Sequence, residues 1–255
     1  MLLKFNNGNA KLEKNIYTFS LPSGYTCPKA LECLSKANMI TGRIKDGKET
    51  KFRCFSASQE ASYTSVRKQR WYNFELLKST KNKAKLILDS LPSKASIIRI
   101  HVAGDFFSQD YFDAWLKVAE KFPEKKFYFY TKSLSFWIKR LDEIGNGRTA
   151  GKIANIYPNA SRGGKDDDLI EEYGLKQAIV VYSEKQAESM GLEIDHDDSH
   201  ALQHGQDFAL LLHGVQPQGT EAAEALRILK QNRYKQGVGG YAPKRKALTL
   251  IEENN

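Results

Sequence analysis

From residue 97 onward the chain alternates short aliphatic and aromatic runs with longer stretches whose apolar positions recur at helical spacing. Residues 97–103 (IIRIHVA), 126–130 (KFYFY), 153–157, 178–182 (AIVVY) and 208–213 (FALLLH) read as strands. Between and after them, residues 109–121 read as a helix carrying Phe112, Trp115, Leu116 and Val118, and 135–143, 166–173, 184–190 and 220–231 as further helices. Residues 16–21 (IYTFSL) supply one more strand upstream, stopped by Pro22-Ser23-Gly24. Six strands alternating with helices imply a parallel sheet joined by right-handed crossovers, either an open doubly wound sheet or a barrel, complete or partial.

Polar residues favour the partial β/α barrel. A polar cluster follows nearly every strand: Gly104-Asp105, Thr131-Lys132-Ser133, Asn159 with Ser161, Ser183-Glu184 and His213-Gly214. All of these fall at strand C-terminal ends, the functional face of parallel α/β folds. Upstream, residues 22–55 read as a structured loop with a charged, glycine-punctuated insert, GRIKDGKETKFR, and this loop opens on the same face. Two helices are expected after it. One spans residues 58–78, with Tyr63, Val66, Arg70, Phe74 and Leu77 on a stripe; the other spans 81–91, ended by Pro92.

At 255 residues this series fits one α/β domain, taken as 1–231, with a basic, flexible tail at 232–255. No apolar run is long enough to span a bilayer and no signal-peptide core opens the chain, so a cytoplasmic protein without membrane association is expected. Charge is uneven: residues 1–100 carry 19 Lys/Arg against 7 Asp/Glu, the remainder 20 against 23. A basic N-terminal half is expected to face nucleic acid, a phosphorylated ligand or an acidic protein, or to be a solubilising surface.

The chain has three cysteines, Cys27, Cys33 and Cys54, all inside the loop after the first strand. Disulfides are rare in a reducing cytosol, and an odd number cannot pair completely. The spacing lacks the paired C-x2–4-C hooks of zinc sites. Three thiolates in one loop suit a [4Fe–4S] cluster, each thiolate taking one iron and the fourth iron left open or held by another ligand. The alternatives are three buried small hydrophobes, zinc completed by histidine or aspartate, and a nucleophilic cysteine with a histidine base.

The stretches FSLPSGYTCPKALECLSKA, FRCFSASQEASYTSVRKQRWYNFELL, RIHVAGDFFSQDYFDAWLKVAE, YTKSLSFW, GLEIDHDDSHA and FALLLHGVQPQGTEAAEAL resemble the bacteriophage gene-product-88 family, over residues 8–230. That resemblance implies a phage or prophage origin and, for a phage-encoded chain, the host cytosol. More distantly, the cysteine loop after the first strand of a partial barrel resembles the radical S-adenosylmethionine enzymes. Carried over, Cys27, Cys33 and Cys54 would hold the cluster, Gly104-Asp105 would meet the methionine amine of S-adenosylmethionine, and Ser161 or Ser183 its ribose. The C-x3-C-x2-C spacing and the Gly-Gly-Glu motif of those enzymes are absent.

The run Asp195-His196-Asp197-Asp198-Ser199-His200 is the densest ligand-like segment; His196, Asp198 or His200, or else Asp105, is a candidate fourth ligand, and a solvated acidic turn is the plain alternative. His101 and His213 lie in strands, where hydrogen-bonded core histidines are common. Arg67, Lys68 and Arg70 beside Trp71 and Tyr72 suggest a basic–aromatic surface for single-stranded nucleic acid, or solvated arginines behind packed rings. Ser161-Arg162-Gly163-Gly164-Lys165 is a basic turn able to cradle phosphate. Two functions are thus expected. One is an iron–sulfur enzyme, radical-SAM-like or redox, with Asp105, Lys132, Ser183 and His213 as catalytic candidates. The other is a non-catalytic cluster protein binding nucleic acid or an acidic phage or host protein.

Overall fold

A computed structural model describes residues 1–8 and 16–235. In it the strands lie side by side in the order in which the chain makes them. Strand β1 (Asn6–Asn7) pairs antiparallel with β2 (Ile16–Ser20). Parallel ladders then join β2 to β5 (Ile97–Ala103), β5 to β6 (Lys126–Thr131), β6 to β7 (Ile156–Ser161), β7 to β8 (Gln177–Val181) and β8 to β9 (Phe208–Leu211). The short hairpin of β3 (Ser35–Ala37) and β4 (Ile44–Asp46) stands apart, inside the cysteine loop. Among the described residues no ladder joins β9 back to β1 or β2, so the seven-stranded sheet is open. The α/β class and the parallel series hold; closure does not occur.

Strand order dictates the layering. Successive right-handed crossovers in one direction keep every crossover on the same face. The helices are α3 (Lys83–Ser90), α4 (Gln109–Lys121), α5 (Leu134–Trp137), α6 (Leu141–Ile144), α7 (Asp168–Glu172), α8 (Glu184–Ser189) and α9 (Glu221–Lys235). Alternate strand residues Ile98, Ile100, Phe127, Phe129, Ile156 and Ala160 bury against Ile87, Phe112, Trp115, Trp137 and Ile170 of that layer. On β8 and β9, Val181, Ala209 and Leu211 meet Ala187 of α8 and Leu229 of α9. The opposite face carries Tyr128, Tyr157, Ala178 and Phe208, packed with Ala201 and Leu202. Buried Lys176 donates to the carbonyls of His200 and Gln203 at 2.5 and 2.6 Å, and Asn159 Nδ2 to that of Ala201 at 3.1 Å; together they hold that segment over the sheet.

Several expectations need correction. The helix over 58–78 is two helices, α1 (Phe55–Ser62) and α2 (Thr64–Ser79), broken at Tyr63, which takes extended dihedrals. The buried side of α2 is Arg67, Arg70, Asn73 and Leu77, not an apolar stripe. Arg67 donates to the carbonyls of Met39, Glu60 and Ile40; Arg70 donates to Ser56 O, Glu60 and Gln59; Asn73 donates to Lys4 O and Ser20 O. The arginines are therefore neither solvated nor offered to nucleic acid. They satisfy the carbonyls of Met39 and Ile40 in a turn and those of Ser56 and Glu60 on α1. The strand expected at 153–157 forms later, because Asn155 Nδ2 donates to the carbonyls of Ala119, Phe122 and Lys125 at the end of α4. Helix α9 reaches Lys235, inside the expected tail, and residues 236–255 lie outside those described. No helix among the described residues is long and apolar enough to cross a membrane.

Candidate functional site

At the C-terminal end of β2 the chain enters the cysteine loop, and its first turn is pinned. Glu60 Oε1 accepts from Ser23 N at 2.9 Å, Ser23 Oγ at 2.8 Å and Arg70 Nη1 at 2.8 Å, all buried. Thr26 Oγ1 donates to Pro22 O at 2.8 Å, and Gly24 N donates to Cys27 Sγ at 3.3 Å. Further along, Leu31 N and Glu32 N donate to Gly163 O, while Gly163 N and Gly164 N donate to Asp167. The Ser161–Lys165 turn thus spends the amides of residues 162–165 on the protein, which leaves it poorly suited to cradling phosphate. Cys54 closes the loop as the N-cap of α1, its carbonyl accepting from Ala57 N at 3.1 Å.

These anchors bring Cys27, Cys33 and Cys54 to one cavity of about 170 Å³, whose wall also includes Gly104, Asp105, Lys132, Ser161 and His213. Gly104 is required by packing: its φ is +81°, and a Cβ there would lie 2.5 Å from Thr26 Oγ1 and 2.7 Å from Leu21 Cβ. That close approach seats the loop on the end of β5 and aims Asp105 inward.

Asp105 is buried, with its carboxylate held by three donors. Oδ1 accepts from Thr131 Oγ1 at 2.6 Å and Phe106 N at 2.7 Å; Oδ2 accepts from Lys132 N at 2.9 Å. Burial outweighs these bonds and raises its pKa to about 6. One lone-pair position of Oδ2 remains beyond these bonds. Lys132 Nζ donates to Ser161 O at 2.8 Å, Ser161 Oγ at 3.2 Å and Arg162 O, so its charge is fixed at the rim. His213 Nδ1 lies 3.2 Å from Leu211 O, and its ring 4.5 Å from that of Phe55.

Cys27 and Cys33 resist ionisation. Burial, then Asp105, then Cys54 and Cys33 push Cys27 well above the usual thiol range. Burial, partly offset by Lys132, raises Cys33 to about 11, with Cys54 and Asp105 adding to the rise. Held as neutral thiols, Cys27 and Cys33 carry neither penalty; as thiolates they would need a positive centre beside them. Among the described residues no group of three or more His, Cys, Asp or Glu side chains is placed to hold a metal ion.

Other candidates sit elsewhere. Ser183 caps α8, its Oγ accepting from Gln186 N at 3.1 Å, and lines a hollow with Glu184 and Glu221. Asp198 is buried on the face of the sheet opposite the helices, where its Oδ2 accepts from Arg99 Nη1 and, at 2.8 Å, from Tyr128 Oη. His200 Nε2 lies 2.9 Å from Glu193 Oε2, and Asp195 accepts from Asp197 N and Ala201 N. The 195–200 run, His196 included, thus belongs to the segment that covers the sheet, and Asp105 is the fourth-ligand candidate on the cavity wall.

His101, also on that wall, has φ +68°; its Nε2 is 2.9 Å from Tyr111 Oη, and burial lowers its pKa to about 3. Sequence reasoning passed over Arg99 and Tyr130, which line the same cavity. The available signal was a lone arginine inside the apolar run IIRIHVA.

The family model described as gene product 88 matches residues 1–231. No curated protein matches the chain, and no solved structure does.

Proposed function

This chain belongs to the gene product 88 family, and we propose that its cysteine cavity holds a [4Fe–4S] cluster on Cys27, Cys33 and Cys54. The observation carrying this reading is convergence: three thiols separated by up to 27 positions in sequence line one cavity at the C-terminal ends of parallel strands. A cubane needs one thiolate on each of three irons rather than three ligands around one ion, so zinc is the poorer fit. Binding a cluster would have to displace the protons that burial keeps on Cys27 and Cys33, and the positive charge of the irons would offset that cost. Cys54 at the N-terminus of α1 adds a helix dipole that favours anionic sulfur.

Such a cluster would supply one-electron transfer. Asp105 would stand at the fourth iron or accept from an amine, through the lone-pair position its three donors leave. Lys132, fixed on Ser161 and Arg162, would hold positive charge beside the thiolates, and His213 would close the wall. A sheet wound in chain order with its helices on one face is compatible with a partial barrel of the radical-SAM kind, and S-adenosylmethionine is the cofactor that reading would require. Ser161 lines the cavity where a ribose would lie; Ser183 does not.

Protein purified without air should be brown, absorb near the visible band of iron–sulfur clusters, and contain iron and sulfide. Cys27→Ala, Cys33→Ala or Cys54→Ala should each bleach it. A colourless, iron-free preparation overturns the proposal. If the cluster is present, adding S-adenosylmethionine to the reduced protein should alter its EPR spectrum; an unchanged spectrum without cofactor cleavage eliminates the radical-enzyme version.

A second reading, a non-catalytic cluster protein with a binding surface, has its own observation. Met39 and Ile40 are exposed beside Lys68, Trp71 and Tyr72 on α2. Salt-dependent binding of a labelled single strand would favour nucleic acid as the partner, and its absence at low salt would leave an acidic phage or host protein.

A further inference from the structure

The wall of the cysteine cavity holds a second kind of chemistry, on β5 and β6. Arg99 Nη1 donates to Asp198 Oδ2 at 2.5 Å, and its guanidinium carbon lies 5.0 Å from the centre of the Tyr130 ring. Tyr130 in turn packs on Phe208, ring centres 6.1 Å apart. Both side chains line the cavity. Yet Arg99 Nε and the Tyr130 hydroxyl are buried atoms with no hydrogen-bond partner among the described residues. Buried donors in folded proteins are almost always satisfied, and each one left unpaired is costly. Two of them on neighbouring strands of one cavity call for an acceptor from outside the chain.

Charge narrows the class of that acceptor. Asp198 already balances Arg99, and Tyr128 donates to the same carboxylate oxygen at 2.8 Å. What is missing is an oxygen lone pair, not a negative charge, and burying an additional uncompensated anion is expensive. The neighbouring wall is apolar, formed by Val180, Leu210 and Leu211.

We propose that this end of the cavity is a binding subsite for a small neutral carbonyl compound of the amide class, whose oxygen accepts from Arg99 Nε and Tyr130 Oη while its apolar body lies against Val180 and Leu210. The subsite needs neither the cysteines nor a cluster, so it stands or falls separately from the function proposed above.

Benzamide is a direct probe, with benzoate as its anionic counterpart of the same shape. Saturation-transfer NMR and titration on the full chain should show benzamide binding, and benzoate binding at least about tenfold more weakly. Tyr130→Phe keeps the ring and removes one donor, and should weaken benzamide about tenfold. Asp198→Asn keeps a residue tolerant of the left-handed backbone found there, φ +67°, and leaves Arg99 unbalanced; the preference should then reverse toward benzoate. A cavity occupied only by water would give no saturation transfer to benzamide, and that result overturns the proposal. So does benzamide binding that Tyr130→Phe leaves unaltered in a variant whose thermal unfolding matches the parent. Should Asp198→Asn fail to fold, the Tyr130→Phe comparison alone decides.

Discussion

Replacing Asp105 with asparagine exposes the electrostatic cost of placing a carboxylate at the cavity. Asparagine has nearly the same shape, and its carbonyl oxygen can accept from Thr131 Oγ1 and Phe106 N as Oδ1 does. Its amide nitrogen would then face Lys132 N–H, which now donates to Oδ2 at 2.9 Å, so one buried hydrogen bond is lost, about 1–3 kcal/mol. Against that loss stands the titration. Asp105 moves from 3.8 in the unfolded chain to about 6 in the fold because it is buried. Between those values the folded state binds the extra proton, so stability falls as pH rises through the window and levels off above it. At 1.36 kcal/mol per pKa unit, the native protein gives up about 3 kcal/mol that the non-titrating variant keeps. Asp105→Asn should therefore be the less stable protein at pH 4 and should gain about 2.5 kcal/mol on the parent by pH 7.5, the rest of the loss having already occurred at pH 4, and so draw level with it or overtake it. Urea unfolding of both proteins at the two pH values, air-free and without iron so that the cysteines are thiols, measures the swing. A stability difference that stays constant across that range would show that burial does not govern Asp105, and the reasoning would be wrong.

Two further perturbations test how the cysteine loop is held. Gly104→Ala puts a Cβ 2.5 Å from Thr26 Oγ1 at a φ of +81°, and should cost about 1–3 kcal/mol in urea unfolding, with cluster content falling in parallel. Glu60→Leu removes the acceptor shared by Ser23 and Arg70 and leaves a buried guanidinium without its carboxylate, for a loss of about 3–5 kcal/mol; a loss below about 1 kcal/mol would mean the pair is not a fixed anchor.

Much of the architecture was legible in the chain itself. A strand shows its two-residue period and β-branched composition locally, and a helix such as Gln109–Lys121 shows its apolar stripe locally, so both were readable. The parallel sheet followed because alternating strands and helices have few ways to pack. Cys27, Cys33 and Cys54 in one loop after the first strand, with Asp105 and Lys132 at later strand ends, already implied a shared face.

Partner choice by polar side chains was not legible, because residues distant in sequence decide it. Arg67 and Arg70 have the composition of a nucleic-acid surface, but Glu60 and the carbonyls of Ser56, Met39 and Ile40 draw them inward. Asp198 has the look of a metal ligand until Arg99, 99 positions away, meets it across the sheet. Ser183 stands at a strand end as a candidate should, and instead caps the next helix. The three cysteines remain the feature on which both levels of description agree. Local sequence determined that they share a loop, because a strand and a turn precede them. Only the tertiary structure could set them on one cavity wall with Asp105, Arg99 and Tyr130, because that wall exists only when parallel strands far apart in the chain lie side by side.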